Sequence, residues 1–163
     1  IDKKTARHMA EMGTYLVPTF LVTRVNCRRA QRDELPEYSR RDAIEVARVH
    51  RENMETAHAE GVKMVMGTDS GVIGHGENLR ELEYLVDIGM DPLEALRAGT
   101  ISAAECMGWD DRIGSIEAGK YADLVITDVN PLEEIGGLAD RESILWVVKD
   151  GRVYRSPGDD DED

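Results

Sequence analysis

Two apolar runs of strand-forming residues, 15–22 and 62–66, flank a segment whose apolar residues recur at helical spacing. That order restricts the fold more than any other feature of the chain. Ile44, Val46, Ala47, Val49, Met54 and Ala57 line one stripe, Ser39 stands where a cap belongs and Gly61 where a helix stops. Strand, helix and strand in that succession make a βαβ unit, which requires parallel strands and a right-handed crossover. Pro18 interrupts the first run, so its strand is expected to be short or bent. Residues 24–37 are polar and irregular and read as an active-site loop. Arg24, Arg28, Arg29 and Arg32 in it could grip a carboxylate, or remain solvated.

The second run ends in Gly67-Thr68-Asp69-Ser70-Gly71. A carboxylate there sits at the C-terminal lip of a buried strand, where barrel enzymes keep their chemistry, and the flanking glycines admit a ligand close to the backbone. The competing reading is an aspartate that closes a turn. With 163 residues the chain can build one domain or pieces of two, short of the roughly 250 residues of a complete eightfold barrel.

Elsewhere the pattern is helical, then β. Asp2 is placed to cap a helix carrying Ala6, Met9 and Ala10, stopped by Gly13. Leu79, Leu82, Leu85 and Val86 share a helical face up to Gly89; Asp91-Pro92-Leu93-Glu94 opens another helix, and residues 101–107 a third. Strands are expected at 122–127, 144–149 and 152–154, the last two joined by a turn at Asp150-Gly151.

The net charge of −13 disfavours nucleic acid or an anionic membrane as partner, and no run approaches the ~20 apolar residues of a membrane span. Fifteen arginines against five lysines, with an acidic end at residues 159–163, point to a halophilic protein, an ordinary acidic cytosolic protein being the alternative. Cys27 and Cys106 have no metal-ligand or disulfide spacing, which fits a reducing, cytoplasmic location. The first residues lack both an initiator methionine and a signal-peptide pattern, so the start reads as cut.

Five segments carry a resemblance: residues 61–71 (GVKMVMGTDSG), 75–83 (HGENLRELE), 89–100 (GMDPLEALRAGT), 114–128 (GSIEAGKYADLVITD) and 145–153 (LWVVKDGRV). In this order they resemble the C-terminal portion of the amidohydrolase superfamily, metal-dependent hydrolases, and within it imidazolonepropionase-like and Xaa-Pro dipeptidase-like enzymes. The resemblance implies an α/β fold, the C-terminal part of a (β/α)8 TIM-type barrel contributing its last two strands and helices, plus part of a small β-sandwich. Residues 1–113 would belong to the barrel, 114–156 to the sandwich and 157–163 to a disordered acidic tail. It further implies hydrolysis of a C–N bond in an amide, cyclic amide or dipeptide-like substrate by metal-activated water. Asp69 would be the metal ligand and proton acceptor at the end of the eighth strand.

The departures are equally specific. The family uses a His-x-His pair and further histidines, but His8, His50, His58 and His75 include no such pair, and the first three fall in expected helices, where solvated side chains are the reading. A divalent metal, zinc being the expected one, would therefore belong to the complete enzyme and not to this chain alone, whose implied partner is the missing N-terminal barrel portion; a homo-oligomer is also possible. His75 lies after Asp69 on the catalytic side and is a candidate substrate contact; with Glu77 it could instead start the next helix. Two other readings stay open: a stand-alone assembly or binding domain derived from such an enzyme, and a hydrolase using Asp69 as nucleophile.

Overall fold

The computed structural model describes residues 1–71 and 73–158. Helix α1 (Lys3–Glu11) begins where the Asp2 carboxylate accepts the Thr5 N–H at 2.8 Å and ends at Gly13, as its sequence requires. Strand β1 (Tyr15–Leu16) then pairs in parallel with β2 (Lys63–Met64), Tyr15 opposite Lys63 and Leu16 opposite Met64. The Val65 N–H donates onward to the Leu16 carbonyl, while the Met66 N–H turns to the carbonyl of Ala98.

The expected strand over 15–22 is cut after two residues, and the physical reason is local. Pro18 has no N–H to give a ladder, and Thr19 follows at φ 51°, a left-handed conformation that costs a β-branched residue about 1–3 kcal/mol. Phe20 and Leu21, apolar enough to read as a strand interior, instead occupy the first turn of helix α2 (Phe20–Gln31), almost completely buried. The polar stretch expected as a loop over 24–37 is thus mostly helical. Packing decides this: α2 folds back on the long helix α3 (Glu37–Ala59) and buries Phe20, Leu21 and Ala30. Helix α3 starts before the expected cap, at Glu37 after Pro36, and the Ser39 hydroxyl returns to the Pro36 carbonyl at 2.9 Å. Its exposed pairs, such as Arg48 with Glu45 and Arg51 with Glu55, contribute little each.

Helices α4 (Arg80–Asp87), α5 (Pro92–Ala98) and α6 (Ile101–Met107) follow as expected, with Asp91 accepting the Leu93 N–H at the start of α5. Gly114 then leads away against α6: a Cβ there would lie 2.8 Å from the Ala104 Cβ and 2.9 Å from the Ile101 Cα, and its φ of 92° also favours glycine. Beyond it, β3 (Leu124–Thr127), β4 (Ile144–Lys149) and β5 (Arg152–Arg155) form an antiparallel sheet in the order β3-β4-β5, apart from the β1-β2 ladder. Asp150 and Gly151, both at positive φ, make the tight turn between β4 and β5.

One buried cluster connects these pieces. Leu82 and Leu85 of α4 share it with Phe20, Leu21, Met54 and Met64, with Ile135 and Leu138 from the segment between β3 and β4, and with Ile144 at the start of β4. By contrast Val125 and Ile126 of β3, and Val153 and Tyr154 of β5, are largely exposed, as are Met107, Trp109 and Ile116 near the exit from α6. No helix among the described residues is long and apolar enough to cross a membrane. The acidic end at 159–163 lies outside the described residues.

Candidate active site

Because β1 and β2 are parallel, the segments leaving their C-terminal ends emerge on the same side of the ladder. The β2 exit carries Gly67, Thr68 and Asp69. Gly67 cannot be replaced without rearrangement, since an added Cβ would lie 2.4 Å from Val17 Cγ1; the two strand exits are that close. Asp69 follows at φ 52°, which aspartate tolerates better than most residues, and its side chain is exposed. The hydroxyls of Thr68 and Ser70 lie 2.8 Å apart beside it.

His75 lies in the same loop and is also exposed, and among the described residues no hydrogen bond joins it to Asp69. Neither His75 nor Glu77 caps α4 through its side chain; Glu77 instead lies 3.5 Å from Arg80 Nε. Of the four arginines of the expected gripping loop, Arg24 and Arg28 are drawn to α4, while Arg29 and Arg32 are exposed. Arg24 stacks over Tyr84 and lies 3.6 Å from Asp87, and Arg28 donates to the Tyr84 hydroxyl at 3.2 Å. Both therefore serve the α2–α4 contact.

The helical histidines also need correction. His8 is exposed near Glu11, but His58 is largely covered, its side chain 22% exposed and 4.0 Å from Glu94, and His50 is half-buried, with its ring 4.9 Å from that of Phe20. Burial, aided by the nearby Arg24 charge, holds its pKa below the ordinary imidazole value against the opposing effect of its hydrogen bond to the Pro18 carbonyl. Among the described residues no three His, Cys, Asp or Glu side chains converge as metal ligands. An apolar groove of about 520 Å³ runs between α4, α5, α6 and β3, lined by Met66, Leu82, Leu96, Thr100 and Leu124, and includes neither Asp69 nor His75.

The model of the amidohydrolase family matches residues 2–154. The chain belongs to that family. Ochratoxinase from Aspergillus niger is 32% identical over 111 residues, 67% of this chain and 23% of the relative. Imidazolonepropionase from Geobacillus kaustophilus is 42% identical over 74 residues, 41% of this chain and 18% of the relative. In structure, a Xaa-Pro dipeptidase with bound methionine in its active site matches with a TM-score of 0.86 at 35% identity, over 96% of this chain and 38% of that one. The chain thus spans well under half the length of these relatives, and its mixed α/β architecture matches that of the Xaa-Pro dipeptidase.

In this amidohydrolase chain the buried carboxylate that sequence reasoning missed is Glu81, in the middle of the HGENLRELE segment. It is fully buried, and its two oxygens accept the Phe20 N–H at 2.6 Å and the Leu21 N–H at 2.8 Å. Desolvation raises its pKa to about 7 against the opposing effect of those two bonds. One signal was present: Glu81 precedes Leu85, another fully buried residue, by one helical turn, so it had to face the core.

Proposed function

We propose that this chain is the C-terminal portion of an amidohydrolase that cleaves a C–N bond in a small amide, cyclic amide or dipeptide-like substrate by adding water. On this reading β1 and β2 are the last two strands of a (β/α)8 barrel, residues 1–113 its closing part and 114–156 a segment of an accompanying β-sandwich. Support comes from the parallel β1-β2 ladder, the separate β3-β4-β5 sheet and the similarity to amidohydrolase structures along almost the whole chain. The exposed apolar residues of β3 and β5 and the groove beside α6 fit a chain that packs against more protein, for which the missing N-terminal barrel portion is the partner.

The observation that carries the reading is Asp69, an exposed carboxylate on a left-handed residue at the lip of a strand whose preceding residues are buried. Its donor chemistry suits one ligand of a divalent ion, zinc being the expected one. A single carboxylate is not a metal site, and the described residues offer no set of three, so the remaining ligands would come from outside this chain. A bound divalent ion would lower the pKa of an attacking water. On this reading Asp69 would accept a proton from the attacking water and return it to the leaving amine, and His75 would meet the polar end of the substrate.

The test is Asp69→Asn in the complete protein, assayed on Xaa-Pro dipeptides and N-acyl amino acids. The substitution keeps the shape and removes the proton acceptor, and turnover is expected to fall by ~100-fold or more. Near-normal turnover by a well-folded variant returns Asp69 to the role of a turn residue.

A further inference from the structure

Helix α2 begins without a cap of its own. Thr19 stands at the N-cap position at φ 51°, and its side chain accepts nothing from the first turn. The free N–H groups of that turn are satisfied from sixty residues away, by Glu81 on α4, one oxygen to Phe20 and the other to Leu21. A local serine or aspartate would cap the helix at the surface without taking a carboxylate out of water. Glu81 does something a local cap cannot: it ties the turn to another helix.

The same turn is held from the other side. The imidazole of His50, on α3, lies 3.4 Å from the Thr23 hydroxyl and packs on the Phe20 ring. Residues 18–21 are thus fixed between two helices, and this restraint is what sustains the left-handed Thr19. One residue before the turn, Val17 fills the space that Gly67 leaves by lacking a side chain, and Asp69 is two residues further along that strand exit.

We infer that Glu81 is a positioning residue for the candidate active site: by clamping Phe20 and Leu21 it fixes the β1 exit, and through the Val17–Gly67 contact it sets where Asp69 stands. The inference rests on the proposed function for its catalytic consequence, but its structural part stands separately. Glu81→Gln keeps the volume and presents one acceptor oxygen, leaving an NH2 group facing the second backbone N–H.

The experiment compares the complete wild-type protein with Glu81→Gln and Glu81→Asp by hydrogen exchange and by kinetics on the same dipeptide and acyl-amino-acid panel. In Glu81→Gln, peptides covering residues 17–22 and the hydrogen-bonded amides of 65–66 at the β2 exit are expected to exchange about tenfold faster, while those of β4 are unchanged. Turnover should fall at least ~10-fold with KM changed less than about twofold, because misplacement acts on the reacting geometry. Glu81→Asp, which retains the carboxylate one methylene shorter, should recover part of both. Faster exchange confined to 17–22, or spread uniformly over the chain, reduces Glu81 to a helix cap or a fold determinant and overturns the inference. A wild-type protein that cleaves nothing in the panel removes the proposed function alone, and the exchange at 65–66 still decides the positioning.

Discussion

The two strand exits of the β1-β2 ladder are built in opposite ways. After β1, Pro18, Phe20 and Leu21 are buried, and the turn is held by Glu81 from α4 and packed against His50 from α3. After β2, Thr68, Asp69 and Ser70 lead into a loop that is mostly exposed as far as Asn78. Both exits contain a non-glycine residue at positive φ, Thr19 and Asp69, yet only the first is gripped by buried polar groups. The contrast separates two tasks. A site that must meet water, a metal or a substrate needs free polar atoms, and free polar atoms position poorly unless a rigid neighbour holds their backbone.

The sharpest way to break this contrast is Asp69→Gly. It should abolish turnover to the extent expected of Asp69→Asn, by ~100-fold or more. Thermal unfolding should nonetheless be unchanged or improved by up to ~1 kcal/mol, because glycine adopts the left-handed conformation without strain. A clear loss of stability would mean that the exposed exit is structural after all.

The gripped exit should reveal itself through pH. Glu81 has a raised pKa, so between about 4.5 and about 7 the folded chain holds a proton that the unfolded chain has released. Stability from this group therefore falls as pH rises across that window, by up to ~3 kcal/mol. Glu81→Gln should remove that slope in chemical denaturation. His50, with a lowered pKa, acts with the opposite sign: stability is lost as pH falls below its ordinary 6.5, where the unfolded chain gains the proton first. Arg24, Arg28, Tyr84 and Asp87 surround the same contact. If wild type and Glu81→Gln share one pH profile, Glu81 is not the titrating group.

Gly67→Ala tests the contact joining the exits. A Cβ 2.4 Å from Val17 Cγ1 must displace that half-exposed side chain, at an expected cost of about 0.5–1.5 kcal/mol in denaturant unfolding. Val17→Ala should relieve part of that cost, whereas additive losses would show that the exits do not touch in solution. The smallest effect is expected at His75, exposed on the free exit: His75→Ala should leave unfolding within ~0.5 kcal/mol and raise KM a few-fold in the complete enzyme.

Much of the architecture was legible because it rests on local rules. The parallel pairing of β1 with β2 followed from the strand–helix–strand order, α1 and α5 from Asp2 and Asp91, and the β4–β5 turn from Asp150-Gly151. Asp69 was legible for the same reason, as a polar residue at the end of an apolar run. The stretch 20–37 was not. Phe20, Leu21 and Val22 suit a strand by propensity, and only the carboxylate arriving from residue 81, with the packing of α2 on α3, makes them the start of a helix. His50, read from its periodicity as a solvated helix residue, is half-buried against Phe20. Sequence alone thus determined what depends on neighbours within about four residues: turns, caps, periodicity and the polar strand end. Tertiary structure decided what Glu81 and His50 meet and which strand exit is locked, because helical spacing can turn Glu81 toward the core but cannot name the N–H groups sixty residues away that it accepts from.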